Sequence, residues 1–342
     1  MANHRIADST PLLDAEGNVF EPGYCEYNRY IYSRQAIKAH PLRIKEWDFY
    51  QISDERYTVQ ITFADISMGA AANFTLFDRL EDCKYEAMVG LSLLSLGNMK
   101  LPEDANLPHK IERSSMGSRL SVTVVEGKRY LHFEGKIKGQ PSVADIELEV
   151  PSGLQSLTMA VPFEENRHFY LNQKMNCMPA SGYVKIGDSV LVEFNPQTAF
   201  CVLDWGRGVW PYKTNWYWGN GSHRLEDGKV FGFEIGWGFG DMTAASENML
   251  FYEGKGHKIG NITLKKDDSN YLGTWFFSSD DGRFEMTMTP EYDNYTSSRV
   301  GLIGNRCHQV FGKWNGRVVL DDGKVLEIKN MTAFTEFCDN RW

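Results

Sequence analysis

The sequence predicts an all-β protein built as two tandem antiparallel β-barrels, and three observations carry that prediction. Short segments with β-branched and aromatic residues in alternation, separated by Gly, Asn and Asp, recur along the whole 342-residue chain. Helical periodicity is scarce: residues 86–96 and 164–175 are the best helical candidates, and both read equally well as strand or loop. The chain also repeats itself. Residues 57–77 lie without a gap on residues 231–251 at an offset of 174, and Trp47-Asp-Phe49 matches Trp216-Tyr-Trp218 at an offset of 169. Residues 181–184 match 315–318 at an offset of 134. Offsets that fall along the chain describe one unit whose second copy has shorter connections.

Residues 1–30 are polar and turn-rich and read as an irregular lead-in. The first barrel is expected over 31–205, with strand text at 57–63, 119–124, 129–133, 183–186 and 190–194. The second is expected over 206–342, with strand text at 229–235, 283–288 and 317–320. A chain of this length exceeds what one core fills, and an open sheet of so many strands would leave exposed edges, so two closed barrels are favoured.

Apolar residues at 42% and aromatics at 13% supply ample core. A net charge of −9 without a basic stripe excludes a nucleic-acid surface. No run approaches the ~18 apolar residues of a membrane span, and the first eight residues lack the apolar segment of a secretion signal. A soluble, cytoplasmic protein is the expectation. The six cysteines are widely spaced without a Cys-x-x-Cys, which predicts six free thiols, with Cys201 and Cys338 buried. No histidine pair has metal-ligand spacing, and His223, His257 and His308 read as exposed loop residues. Neither metal nor cofactor is expected. The run 236–240 lacks the third spaced glycine of a phosphate loop, and hydrolase, Walker and zincin signatures are missing from the sequence. Oligomeric state is not legible.

Residues 204–219 hold four of the nine tryptophans together with an acid, a guanidinium and turn-forming Gly and Pro. That mixture suits a pocket wall, so Arg207, Trp210, Tyr212, Trp216, Trp218 and nearby Trp237 are candidate ligand-binding residues. The plainer alternative is core tryptophan with a structural Arg–Trp pair. Asp204 and Glu247 are the candidate catalytic acids; alternatively Asp204 ion-pairs with Arg207 to fix the interdomain turn. Glu234, another candidate, alternates with Phe233 and Ile235 and so faces away from them. It points either into a barrel or, as the simpler expectation, into solvent.

The block 204–218, the opening at 43–50 and the Glu247-Asn248 pair resemble the bacterial DUF2804 family of unknown function, over nearly the whole chain. That family is distantly similar to tandem lipocalin-like proteins that include carotenoid hydratases of the hydroxyneurosporene synthase type, tocopherol cyclase and fungal Diels-Alderase-type cyclases. The resemblance implies two lipocalin-like barrels with a ligand site in or between them, and it transfers no catalytic residue. The favoured function is binding of a hydrophobic or amphiphilic small molecule in a Trp-rich pocket at or near the barrel–barrel interface. An acid-catalysed hydratase, cyclase or isomerase on a lipid-like substrate is the alternative, because protonating an alkene needs an acid in a dry aromatic cavity. A carbohydrate-directed protein is the third, because paired carboxylates beside tryptophans also suit sugars.

Overall fold

The computed structural model describes residues 3–301 and 303–342. Its helical content is two 3-10 turns, Arg34–Ala36 and Pro41–Arg43, and no helix is long and apolar enough to cross a membrane among the described residues. The lead-in carries three short strands, β1 (Thr10–Pro11), β2 (Gly23–Cys25) and β3 (Tyr30–Ile31), of which β1 and β3 pair in parallel.

The first large sheet then runs through β4 (Lys45–Ser53), β5 (Tyr57–Asp65), β6 (Gly69–Asp78), β7 (Cys83–Leu93), β8 (His109–Ser115), β9 (Ser118–Val125) and β10 (Lys128–Ile137). It continues with β11 (Gln140–Glu149), β12 (Leu157–Pro162), β13 (Phe169–Ile186), β14 (Ser189–Phe194) and β15 (Phe200–Val209). Its spatial order is β7-β6-β5-β4-β15-β13-β11-β10-β9-β8, with β2, β12 and β14 attached along the side. The sheet curls until its two ends nearly meet, where Arg113 Nη2 on β8 donates to Gly90 O and Ser92 Oγ on β7, each at 3.3 Å.

After a crossing at residues 210–212 the second sheet begins. It comprises β16 (Lys213–Arg224), β17 (Val230–Trp237), β18 (Met249–Tyr252), β19 (Lys255–Lys258), β20 (Ile262–Lys265), β21 (Trp275–Ser279), β22 (Phe284–Val300), β23 (Ile303–Val319) and β24 (Val325–Arg341). Its order, β19-β18-β17-β16-β24-β23-β22-β21-β20, reproduces that of the first sheet as a half-barrel. Position by position β16, β17, β18, β24 and β23 stand for β4, β5, β6, β15 and β13, the strands that the sequence repeat aligns.

Both interiors are filled with side chains. In the first, Tyr50, Ile52, Ile61 and Phe63 are fully buried and Phe74 stacks on Phe133 with centroids 4.5 Å apart. In the second, Trp314 packs on Phe233 at 4.8 Å and on Phe277 at 4.6 Å. Because successive strand residues face opposite ways, filling the interiors with Tyr50 and Ile52 turns Trp47 and Phe49 outward. Trp216 and Trp218 turn outward from the second sheet for the same reason. The two outward faces meet.

Two expectations need correction. Cys307 and Cys338 are not free: they face each other across β23 and β24 and form a disulfide. Thirty-one residues of separation hid this contact, because only the hairpin register brings them together. Cys25, Cys83, Cys177 and Cys201 remain thiols, and Cys201 and Cys338 are buried. The three histidines expected in exposed loops sit half-buried on β16, β19 and β23, where His308 stacks on Tyr271 and pairs with Asp293 at 2.7 Å. Denatured, unreduced protein should therefore titrate four thiols, and reduced protein all six; six without reduction would contradict the disulfide.

Candidate functional site

A cavity of about 300 Å³ lies between the outward faces, at the small end of the range for small-molecule sites. Strand register builds its walls twice. On the first barrel Phe49 lies opposite Asp204, and Asp204 opposite Lys174; on the second Trp218 lies opposite Glu336, and Glu336 opposite Gln309. The same correspondence relates Trp47 to Trp216, Tyr170 to Asn305, and Trp210 to Trp342. All six pairs line the cavity, together with Thr62, Phe239, Glu247 and Asn340.

Two glycines make room for this arrangement. A Cβ at Gly206 would lie 2.3 Å from the Trp47 indole, and one at Gly236 would lie 2.1 Å from Glu247 Oε2. Gly206 thus admits a flat ring against the strand, and Gly236 admits a carboxylate.

The electrostatics are unusual for so apolar a space. Lys174 Nζ is buried 3.1 Å from Asp204 Oδ2 and 3.9 Å from Glu234 Oε1, and 3.7 Å from the Trp218 ring centroid. Burial alone would lower its pKa, but Asp204, Glu247 and Glu234 outweigh burial and raise it, so the ammonium stays charged. Asp204 Oδ1 accepts from Asn172 Nδ2 at 2.5 Å. Burial pushes Glu234 up to about 8 even though it accepts from the Trp218 indole and from Asn220 at 2.8 Å. Burial likewise pushes Glu336 up to about 7, with Oε1 accepting from Trp216 Nε1 at 3.0 Å and Oε2 from Gln309 Nε2 at 3.2 Å. Glu247 is raised by burial too, and it accepts from the Tyr170 hydroxyl. Burial thus biases Glu234, Glu336 and Glu247 toward their protonated forms, although Lys174 opposes this at all three and Lys258 at Glu247.

Of the residues singled out from sequence, Asp204, Glu247, Trp210, Trp216 and Trp218 line the cavity. Glu234 stands behind Trp218 and is fully buried, not solvated. Phe233 and Ile235 do face the half-barrel interior, but the outer face of β17 is covered by the first barrel, a third environment that strand alternation alone does not reveal. Arg207 points to the opposite face of β15 from the cavity. It bonds Asp48 Oδ1, Pro102 O and Trp47 O at 2.8, 2.8 and 2.6 Å and lies 4.2 Å from the Trp205 ring. The Asp204–Arg207 pair does not form, because residues three apart on a strand face opposite ways. Trp237 stacks on Tyr217 at 5.0 Å, inside the half-barrel. Tyr212 lies in the crossing between sheets, 40% exposed, and its carbonyl accepts from Trp342 N.

The sequence reading did not single out Trp47, Phe49, Tyr170, Lys174, Gln309, Glu336 or Trp342. The repeat signal contained Trp47 and Phe49, which align with Trp216 and Trp218. Lys174 and Glu336 had no such signal. Cys307, Cys338 and Glu336 place three metal-type ligand atoms within 4.8 Å of one another, but the two sulfurs are bonded to each other and offer no thiolate.

The raised carboxyls have a pH signature. Glu336 and Glu234 bind protons more tightly folded than at their ordinary value of 4.5, so folding is favoured at low pH and stability falls as pH rises from about 4.5 to 8. Lys45 and Lys258, lowered by burial to about 7, oppose this only above pH 7. Urea midpoints at pH 5 and pH 7 should show wild type less stable at pH 7. Glu336→Gln should reduce that drop by ~1–3 kcal/mol; an unchanged drop would contradict the raised carboxyl.

No curated protein matches the sequence. Among solved structures, a candidate AttH from Nitrosomonas europaea is similar with a TM-score of 0.52 at 11% identity, over 96% of this chain and 98% of that one. Kievitone hydratase from Nectria haematococca gives a TM-score of 0.47 at 9% identity, over 100% of this chain and 98% of that one. At 11% identity the likeness to the first concerns fold alone. The model of the domain of unknown function DUF2804 matches residues 3–342, and the chain belongs to that family.

Proposed function

We propose that the protein binds a largely apolar, amphiphilic small molecule between its barrels and transfers a proton to or from it. The observation that carries this reading is the coincidence of a tryptophan-walled cavity with Glu336 and Glu247, carboxyls on that wall which burial biases toward the protonated form. A pure carrier needs only the apolar walls. Burying several carboxyls in one apolar region costs stability, and that cost is intelligible where the groups do chemistry.

The residues divide the work. The faces of Trp47 and Trp216 enclose the ligand and favour any cationic character that develops on it, while Lys174 lies over the Trp218 ring. Lys174, held charged, forms a fixed pair with Asp204 at 3.1 Å. Protonated Glu336, held by Trp216 and Gln309, is the general acid, with a pKa near the operating pH where proton transfer is most effective. Hydration, cyclisation and isomerisation of an alkene all begin with such a step. A sugar is a poorer fit, because the cavity's polar groups are largely bonded to one another: Asp204 to Lys174 and Asn172, Glu336 to Trp216 and Gln309.

Extraction of the purified protein followed by mass spectrometry should return an apolar or amphiphilic molecule. Trp218→Ala should abolish its rebinding. Glu336→Gln should retain binding while lowering turnover of that molecule by ~10²–10⁴-fold. Normal turnover in Glu336→Gln removes the acid from the proposal, and normal binding in Trp218→Ala removes the site.

A further inference from the structure

The disulfide Cys307–Cys338 lies on the cavity side of the second sheet. Strand alternation puts Cys307 on the face of Asn305 and Gln309, and Cys338 on the face of Glu336 and Asn340, and all four of these neighbours line the cavity. Trp216, another wall residue, lies directly opposite Cys338 on β16. Both sulfurs reach the carboxyl of Glu336: Cys338 Sγ lies 3.7 Å from Oε1, and Cys307 Sγ lies 4.0 Å from Oε2. Among the described residues, these three form the group in which three atoms of metal-ligand type converge.

The spacing suits a tetrahedral zinc ion. Two thiolates and a carboxylate oxygen on one such ion stand about 3.8 Å (S to S) and about 3.5 Å (S to O) apart, given bond lengths of about 2.3 and 2.0 Å. The sulfur–oxygen distances of 3.7 and 4.0 Å are already close to that. Two sulfurs released from their bond part to van der Waals contact, which is the separation the ion requires. Charge agrees. Two thiolates and one carboxylate outweigh the charge of the ion, so the positive Lys174, whose charge acts on Glu336, faces a loaded site that is negative.

We propose that Cys307, Cys338 and Glu336 form a redox-gated Zn²⁺ site on the cavity wall, closed while the cysteines are bonded and open once they are reduced. A dithiol supplies the two electrons: it is oxidised to its cyclic disulfide, and its two protons pass to the Cys307 and Cys338 sulfurs. Zn²⁺ then displaces a proton from each thiol and takes a Glu336 oxygen as its third protein ligand. The fourth position is left to water, the coordination that zinc keeps where it is chemically active. Thiolates select zinc over magnesium or calcium, which prefer oxygen. Cys25, Cys83, Cys177 and Cys201 belong to no such group among the described residues. Metal binding of this kind needs no ligand in the cavity and no proton transfer, but a Glu336 held by zinc cannot act as the acid.

The test uses the full chain, either oxidised or reduced with dithiothreitol and freed of reductant under nitrogen, with Co²⁺ as the spectroscopic substitute for zinc. Reduced protein should bind one Co²⁺ per chain, with a thiolate-to-cobalt charge-transfer band and the intense visible bands of a tetrahedral site, and Zn²⁺ should displace it. Oxidised protein should show neither band. Cys307→Ser, Cys338→Ser and Glu336→Gln should each weaken Zn²⁺ binding by the reduced chain ~10-fold or more, whereas Cys83→Ser, at a half-buried thiol outside the group, should leave it unchanged. Reduced wild type that binds no cobalt, or binds it without the charge-transfer band, overturns the proposal, as does a disulfide that dithiothreitol leaves intact in the folded chain. Undiminished affinity in Cys307→Ser and Cys338→Ser places the ion elsewhere and overturns the site. The contrast between oxidised and reduced wild type needs no variant, so it decides even where a substitution unfolds the chain.

Discussion

One buried ammonium ties the two barrels together. Lys174 projects from β13 of the first barrel, pairs with Asp204 of the same barrel, and lies against Trp218 and Glu234 of the second. Without it Asp204 and Glu234 would lose their nearest compensating charge in a region with little water, and truncating one partner of a buried ionic group typically costs ~3–5 kcal/mol. Asn172, Asn176 and Asn220 extend the network by donating to Asp204 and Glu234. The tryptophans pack around these groups, so the orientation of the rings and the protonation of the acids are set by one cluster.

The cavity is made asymmetric by divergence at equivalent positions of a repeated fold. Lys174 corresponds to Gln309, Asp204 to Glu336, Tyr170 to Asn305 and Phe49 to Trp218. One half therefore presents Lys174 paired with Asp204, and the other a carboxyl that burial pushes up to about 7 with neutral donors around it. Neither barrel interior takes part, because both are filled by their own aromatic and aliphatic side chains. The cavity lies outside both barrels, where their outward faces meet.

The charge cluster around Arg207 belongs to a different layer. Its guanidinium, Asp48 and Glu46 are buried together on the inner side of β4 and β15, with Tyr32 and Arg34 also bonded to Glu46. These groups fix residues 32–34 and residue 102 onto the first barrel. Residues three apart on one strand thus serve separate ends: Asp204 faces the cavity, and Arg207 anchors the segment behind it.

Sequence by itself determined the all-β class, the duplication and the strand faces, because alternation of side chains is a local property of an extended chain. Trp47 and Phe49 fell on Trp216 and Trp218 by alignment, and residues 204–218 stood out by composition. Which of those residues meet was not local. Asp204 and Arg207 looked like partners in sequence and face opposite ways in space, whereas Glu234 read as a solvated residue and is enclosed by the neighbouring barrel. Cys307 meets Cys338, and Lys174 meets Asp204, only through strand register, and register is fixed by hairpins and long-range pairing that a one-residue slip would undo. The raised carboxyls follow from the same cause: whether Glu336 is buried depends on what packs over its face, and that is decided when the two barrels close on each other.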